Sequence, residues 1–501
     1  MKAEDLYDGI GTMDEDLLER SERNAEKKKK VRRIRPRMAA LIAAAALLLV
    51  GGIALMTYGV LHNRPNDPAD EENGKKQGQF LLAGAVLPKL GKEPRMEDYP
   101  DTEKGMLQFR EAHKQWKEER EALMTAIEEY GEDKAYGAVE QFTLRSLKTM
   151  LSGRNGENSA YSPINIYLLL GMLAESTDGA SREQILSLAG AESIEDIRAR
   201  SKALWNALYF NSDDEKLVLG ASVWLDAKAK NVYNEETLAR LASDYYASSF
   251  AGEMGSAEYN KEFRGWFNKM TDGMLKDRVE ELELNDDTII ALATTICFIN
   301  QWANPFDESD TTEEVFHAAT GDVKAEFMHE TAVGLYYRGE RFTAVYKYLR
   351  NSRMWMILPD EGVSVDEILD DPELEKLLDY RKDNMTETII HLGVPKFDVV
   401  GDTDLLETLP KLGVTDIFNL NADFSPLLNG SGSFVSEAKH SARVQIDEKG
   451  VKAAAFAEVQ LSRGILPTPD GELYITLDRP FLFLVTGLGE TPLFAGVVEK
   501  P

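Results

Sequence analysis

The sequence predicts an α+β fold built on large sheets, preceded by one transmembrane helix. Three observations predict it. Helical and strand periods are mixed along the chain, with no internal repeat and no regular βαβ alternation. One stretch of 23 residues, Met38 to Val60, carries no charge. The C-terminal stretch Pro480 to Val498 is apolar almost throughout and reads as deeply buried. At 501 residues the chain is longer than one hydrophobic core usually spans, so several segments are expected.

Residues 1–37 read as a cytoplasmic head. Met1 to Glu26 is acidic, with Asp14, Glu15, Asp16 and Glu19, and Lys27 to Arg37 holds eight basic residues. Residues 38–60 follow as the membrane helix. At about 1.5 Å per residue they reach about 35 Å, enough for a hydrocarbon core of about 30 Å. Basic residues beside a span stay cytoplasmic, which puts the N-terminus inside and everything after residue 60 outside the cell. A cleaved signal peptide fits poorly: the apolar run is too long, the preceding region is acidic, and no small-x-small site closes it. Residues 61–79 are a linker, rich in turn formers such as Asn63-Arg64-Pro65 and Asn73-Gly74. Residues 80–134 form a charged stalk or N-terminal extension. Within it, Glu103 to Tyr130 has a helical pattern with sparse apolar positions at Leu107, Trp116, Leu123 and Ile127. The main body is residues 135–501.

Charge and chemistry exclude several functions. The formal net charge of −29 argues against nucleic acid, which needs a basic surface. The single cysteine, Cys297, rules out an internal disulfide and a cysteine-rich zinc site. There is no GxSxG elbow, and His329-Glu330 lacks the second histidine of HExxH. Gly84 to Lys92 has the wrong spacing for a phosphate loop. The six histidines (His62, His113, His317, His329, His391, His440) are scattered and read as surface or satisfied core residues. No catalytic site is organised, and no cofactor or metal is called for.

In the main body, Gln141 to Leu151 and Ile166 to Leu173 have helical spacing. Ala221 to Leu225 and Thr288 to Asn300 read as strands or buried segments. Met354 to Leu358, Thr388 to Leu392 and Leu473 to Leu477 have the β-branched and aromatic content of strands. The most informative segment is Ile446 to Leu461. From Val451, every second residue is small or apolar: Val451, Ala453, Ala455, Ala457, Val459 and Leu461. The residues between them are mostly polar. This is the period of a strand with one buried face, yet alanine is a poor strand former. Ser462 to Gly471 then reads as an exposed loop. Two readings fit: a core strand ending in a long hairpin, or a segment able to occupy two states.

The ordered motifs resemble the serpin family from roughly Ala135 to Pro501. Glu448-Lys449-Gly450 with the alanines after it is similar to the family's hinge. Asp478-Arg479-Pro480-Phe481-Leu482-Phe483 and Pro492-Leu493-Phe494-Ala495-Gly496 resemble its C-terminal signature. Asn158, Ser162-Pro163, Met172 and Gln184-Ile185 resemble its first helices. Thr271-Asp272-Gly273, then Trp302-Ala303-Asn304-Pro305-Phe306, then His391 to Phe397, Leu412-Gly413 and Ile417-Phe418 follow in the family's order.

The resemblance implies three β-sheets with surrounding helices and an exposed reactive loop. It implies an inhibitor rather than an enzyme, whose partner is a target serine or cysteine protease. The protease cuts the loop, the loop inserts into the central sheet as a strand, and the acyl-enzyme is trapped. The implied hinge is Glu448, Gly450, Val451, Ala453, Ala454, Ala455 and Ala457. Phe456 departs from the family's small residue but falls on the outward parity. Trp302 matches the tryptophan where the loop enters the sheet, and Lys396 the partner of Glu448. Ser162 and His440 match a polar cluster under the sheet. Thr294 and Asn165 stand where relatives have Asn and Ser, and the hypothesis is that Asn165 supplies the amide Thr294 lacks. The family's spacing puts the scissile bond at or next to Arg463–Gly464, with Leu461 and Leu466 as other positions.

The rival reading is a non-inhibitory serpin-fold sensor or binding protein that signals through residues 1–37. Leu6 to Leu18 resembles the cytoplasmic heads of bacterial membrane regulators but is too short to be specific; the expectation is a bacterial-type member, and in this rival reading residues 1–37 bind a cytoplasmic partner.

Overall fold

The computed structural model describes residues 79–501 except 89, 155, 213–214, 228–232, 379–383, 430–433 and 452–470. The head at 1–37, the span at 38–60 and all but the last linker residue therefore lie outside the described residues. So do Ala453, Ala454, Ala455, Ala457, Arg463 and Gly464. Among the described residues, no helix is long and apolar enough to cross a membrane.

The chain opens with strand β1 (Leu81–Ala83) and a long helix, α1 (Glu103–Tyr130). Helix α2 (Glu132–Leu151), strand β2 (Ser159–Tyr161) and helices α3 (Pro163–Ser176), α4 (Gly179–Ala189) and α5 (Ile194–Leu208) follow. Strands β3 (Phe210–Asn211) and β4 (Lys216–Asp226), helix α6 (Glu235–Asp244), β5 (Ala247–Gly252), helix α7 (Ala257–Met270) and β6 (Ile290–Gln301) come next. The rest is mainly strand: β7 (Thr312–Ala318), β8 (Gly321–Arg338), β9 (Phe342–Tyr348), β10 (Arg353–Pro359), β11 (Thr386–Pro395) and β12 (Phe397–Asp404). After these come β13 (Val435–Ile446), β14 (Gly450–Val451), β15 (Glu472–Thr476), β16 (Phe481–Thr486) and β17 (Pro492–Val498).

The strands form two hydrogen-bonded sheets. The first has eight strands in the order β1-β5-β4-β6-β14-β13-β12, with β3 on β4. The second has nine, in the order β15-β11-β8-β9-β10-β16-β17-β2, with β7 on β8. The expected three sheets are thus two. The reason is β8, 18 residues long, which pairs with β11 through Tyr336 and with β9 from Tyr336 onward. One strand serves two ladders and fuses them.

The core follows the sequence pattern. Helix α3 is apolar on all faces and every residue of it is buried, as such a helix must be. Its start is set by Ser162, whose Oγ accepts from the Asn165 N–H, and by Pro163 at the first helical position. Strands β16 and β17 are buried at every residue.

Helix α1 packs on the main body antiparallel to α5. Arg120 donates to the carbonyls of Asn206, Ala207 and Tyr209 at the C-terminal end of α5. At the other end, Tyr130 donates to Asp196 in the first turn of α5 at 2.6 Å. The last carbonyls of a helix have no partner within it, and a cation there meets the negative end of the helix dipole. Gly131, with φ of 102°, closes α1 and starts α2. We predict that Arg120→Ala lowers stability by about 1.5–3 kcal/mol, the usual scale of charged hydrogen bonds. Arg120→Lys should recover little, because one ammonium nitrogen cannot reproduce the spread of the two guanidinium nitrogens that reach the three carbonyls. Urea unfolding of the three proteins checks both statements.

Candidate functional site: a wedge in the eight-stranded sheet

Strands β6 and β13 are parallel neighbours at one end only. They pair directly from Val435 opposite Ile290 to His440 opposite Thr294. At the other end β14 lies between them, with Gly450 opposite Gln301, Val451 opposite Asn300, and Val451 also opposite Ile446. One strand spacing is about 4.8 Å, so the two strands part from about 4.8 Å to about 9.6 Å. The result is a wedge, closed at Thr294 and His440 and open where β14 begins.

The open end is built by a hairpin. Asp447 Oδ1 accepts from the Lys449 and Gly450 N–H groups at 2.8 and 3.2 Å, which bends the chain back on itself. The Asp447 N–H donates to Gly450 O at 3.1 Å. Gly450 has φ of 154°, and a Cβ there would lie 2.2 Å from Asn300 O. No other residue fits that approach.

Trp302 holds the hairpin from the β6 side. Its N–H donates to Lys449 O and its Nε1 to Asp447 O, both at 2.9 Å. The Phe306 N–H donates to Glu448 O at 2.9 Å, and the Trp302 and Phe306 rings meet edge to face at 5.9 Å. Lys396 holds it from the β12 side: its Nζ lies 2.7 Å from Glu448 Oε1, which also accepts from Thr311 Oγ1 at 2.8 Å. Burial opposes ionisation of Glu448, but the bonds from Lys396, the backbone and Thr311 outweigh it and lower its pKa. Burial likewise opposes the charge on Lys396, and Glu448 more than restores it, raising that pKa. The pair is half-open to solvent on the lysine side and contributes at most about 1 kcal/mol.

The closed end is a buried polar group. The Ser162 N–H donates to His440 Nε2 at 2.9 Å. An accepting Nε2 fixes a neutral ring with its proton on Nδ1. His440 is fully buried, and desolvation pushes its pKa down to about 4. Thr294 and Asn165 share this end, but the expected amide-for-amide exchange is not made. Asn165 Nδ2 and Thr294 Oγ1 are each buried without a hydrogen-bond partner in the protein. The Asn165 backbone N–H donates to the Ser162 Oγ cap, and its side chain is buried with the rest of α3.

Sequence-read residues thus gather in two groups: Glu448, Gly450, Val451, Trp302 and Lys396 at the open end, and Ser162, Asn165, Thr294 and His440 at the closed end. Sequence reading missed Thr311 and Lys347, and met Phe306 only as the end of the Trp302-to-Phe306 motif. Lys347 is buried, lies 4.2 Å from the Phe306 ring centre and pairs with Glu330. Sequence reading also missed Arg443 on β13, which donates to Met274 O at 2.9 Å, while Cys297 on β6 meets Met274 Sδ at 3.7 Å. The turn after α7 therefore spans the wedge on its outer face. None of these contacts leaves a local signal, because each partner lies far away in sequence.

The family profile described as Serpin (serine protease inhibitor) matches residues 137–501. Alpha-1-antiproteinase S of Cavia porcellus is 30% identical over 359 residues, which is 69% of this chain and 85% of that protein. Alpha-1-antitrypsin-like protein GS55-MS of Ictidomys tridecemlineatus is 27% identical over 371 residues, 72% of this chain and 87% of its own. The native-state structure of tengpin, a thermophilic serpin, superposes with a TM-score of 0.66 at 26% identity, covering 74% of this chain and 95% of tengpin. Human thyroxine-binding globulin with its hormone superposes with a TM-score of 0.64 at 25% identity, covering 73% and 99%.

Two predictions follow from the geometry of the wedge. Gly450→Ala should expel the hairpin and speed hydrogen exchange at the Trp302 and Phe306 amides at least about tenfold; unchanged exchange would contradict the close-approach argument. His440 gives a pH dependence. The fold binds the neutral ring, so its contribution is complete above the unfolded value of about 6.5 and is lost as pH falls from there toward 4. The loss is on the order of 3 kcal/mol. Urea midpoints between pH 7.5 and 4.5 should fall, and His440→Gln should flatten that slope.

Proposed function

The chain belongs to the serpin family, and we propose that it is an inhibitory serpin held outside the cell by one N-terminal membrane helix. The observation that carries the inhibitory reading is β14. Its two residues already occupy the mouth of the wedge, and Val451 packs in the same core as Phe298 and Val444.

Continuing the register of β14 tests the sequence that follows. Residue 453 would lie between Phe298 and Val444, residue 455 between Ile296 and Ala442, and residue 457 between Thr294 and His440. Ala453, Ala455 and Ala457 are the residues of that parity, so no charge or bulk is driven inward. Lys452, Ala454, Phe456 and Glu458 take the other face. As far as residue 456, insertion fills space that β6 and β13 have already opened. From 457 onward it must separate the direct β6–β13 pairs, starting at Thr294 and His440. New main-chain bonds on both sides of the inserted strand supply the driving force.

In this reading a serine or cysteine protease cleaves the loop, with Arg463–Gly464 the favoured bond and trypsin-like enzymes the favoured class. Insertion then carries the acyl-enzyme away and stalls deacylation. The membrane placement rests on residues 38–60 and the basic block before them. Residues 1–37 would remain free for a cytoplasmic partner. Thyroxine-binding globulin, which shares the fold, keeps a non-inhibitory binding role in view as the alternative.

The full chain in detergent, mixed with trypsin-like proteases, should give a band at the summed mass that survives denaturing electrophoresis, and mass spectrometry should locate the cut. Ala455→Arg should abolish that band while leaving loop cleavage intact, because an unpaired charge beside Ile296 and Ala442 costs several kcal/mol. Clean cleavage of the parent chain without the band, across serine and cysteine proteases, would overturn the inhibitory reading and favour the binding role.

A further inference from the structure

The segment that leads into the body is apolar and fixed. From Phe80 to Pro88 no residue is charged. Strand β1 is the outermost strand of its sheet and pairs with β5 on one side. The backbone is pinned along its length: the Ala251 N–H donates to Phe80 O at 2.8 Å, the Ala85 N–H to Ser248 Oγ at 3.2 Å, and the Val86 N–H to Ala242 O at 2.9 Å. The Phe80 ring turns inward onto Tyr259, at 5.1 Å between centres.

Four large aliphatic side chains stay outside. Leu81, Leu82, Val86 and Leu87 are all exposed, Val86 to 62%. At most about 20 Å of chain separates Leu81 from Leu87. Natural sheets protect their edges with charge, proline or a covering element. This edge has no charge, and a contiguous apolar strip marks a surface that something covers.

We propose that this strip lies on the outer surface of the lipid bilayer, so that the inhibitor body rests against the membrane. The inference rests on the membrane-anchor reading of residues 38–60. Only 18 residues, 61–78, separate the end of that span from Gln79. Eighteen residues span at most about 65 Å even when fully extended. The strip therefore cannot lie farther than that from the end of the span, and a weak contact there acts within one molecule rather than between two. The chain's net charge of −29 opposes adsorption onto anionic headgroups. The contact is apolar, made by side chains that dip into the interface.

The chain itself supplies a clean probe. Its one cysteine, Cys297, is buried, so Val86→Cys adds a single accessible thiol. Val315→Cys, on exposed β7 of the other sheet, serves as control. The full chain in phosphatidylcholine vesicles, labelled with bimane at residue 86, should show blue-shifted emission and quenching by nitroxide lipids. It should also be protected from iodide at least threefold relative to residue 315. Adding anionic lipid should weaken this protection. Equal iodide access at both positions, in a chain that resists alkaline carbonate extraction, overturns the docking and leaves the anchor standing. Release by carbonate overturns both. Protection that vanishes at one copy per vesicle assigns the strip to a second copy and overturns the proposal.

Discussion

Two parallel strands that touch at one end and are wedged apart at the other set the terms for the rest of this structure. A sheet gains most when each interior strand has a ladder on both sides. Here β6 and β13 make that ladder directly only from Ile290 to Thr294 and from Val435 to His440. Beyond, two residues of β14 hold them apart. Immediately after Val451 the sequence alternates small or apolar residues with mostly polar ones. The alternation has the period of a strand with one buried face.

The two ends of the wedge are secured by different physics. At the open end the grip is directional. Trp302 binds the hairpin through two N–H groups, Gly450 permits a backbone approach that any side chain would block, and Lys396 and Thr311 hold the Glu448 carboxylate. These bonds are partly wet and exchangeable. At the closed end the grip is dry: His440 is neutral, fully buried and oriented by one backbone N–H from the start of α3. Around it Asn165 Nδ2 and Thr294 Oγ1 lack partners, so this end holds polar groups whose bonding is incomplete. A buried polar site that is only partly satisfied is easier to part than a fully bonded one.

The N-terminal extension is integrated with the same sheet. Strand β1 adds an edge to it beside β5, and α1 caps the end of α5 through Arg120.

The sequence by itself determined the elements whose signal is local. Periodicity marked the helix over Glu103–Tyr130, the helical stretch Ile166–Leu173 within α3, the strands around Ala221, Thr288, Met354 and Thr388, and the small-residue alternation after Val451. Composition marked Met38–Val60 as an uncharged run, and the order of short motifs pointed to the family. Tertiary structure alone decided how distant residues meet. No local pattern says that Lys347 lies over Phe306, that Arg443 reaches Met274 O, or that Thr311 shares Glu448 with Lys396. It also decided that three expected sheets are two, because a single 18-residue strand bends through both ladders. It decided that Asn165 Nδ2 and Thr294 Oγ1 are both buried without a hydrogen-bond partner in the protein. Local propensity acts over a few residues, whereas a hydrogen bond between residues more than a hundred positions apart is set only when the whole chain has closed.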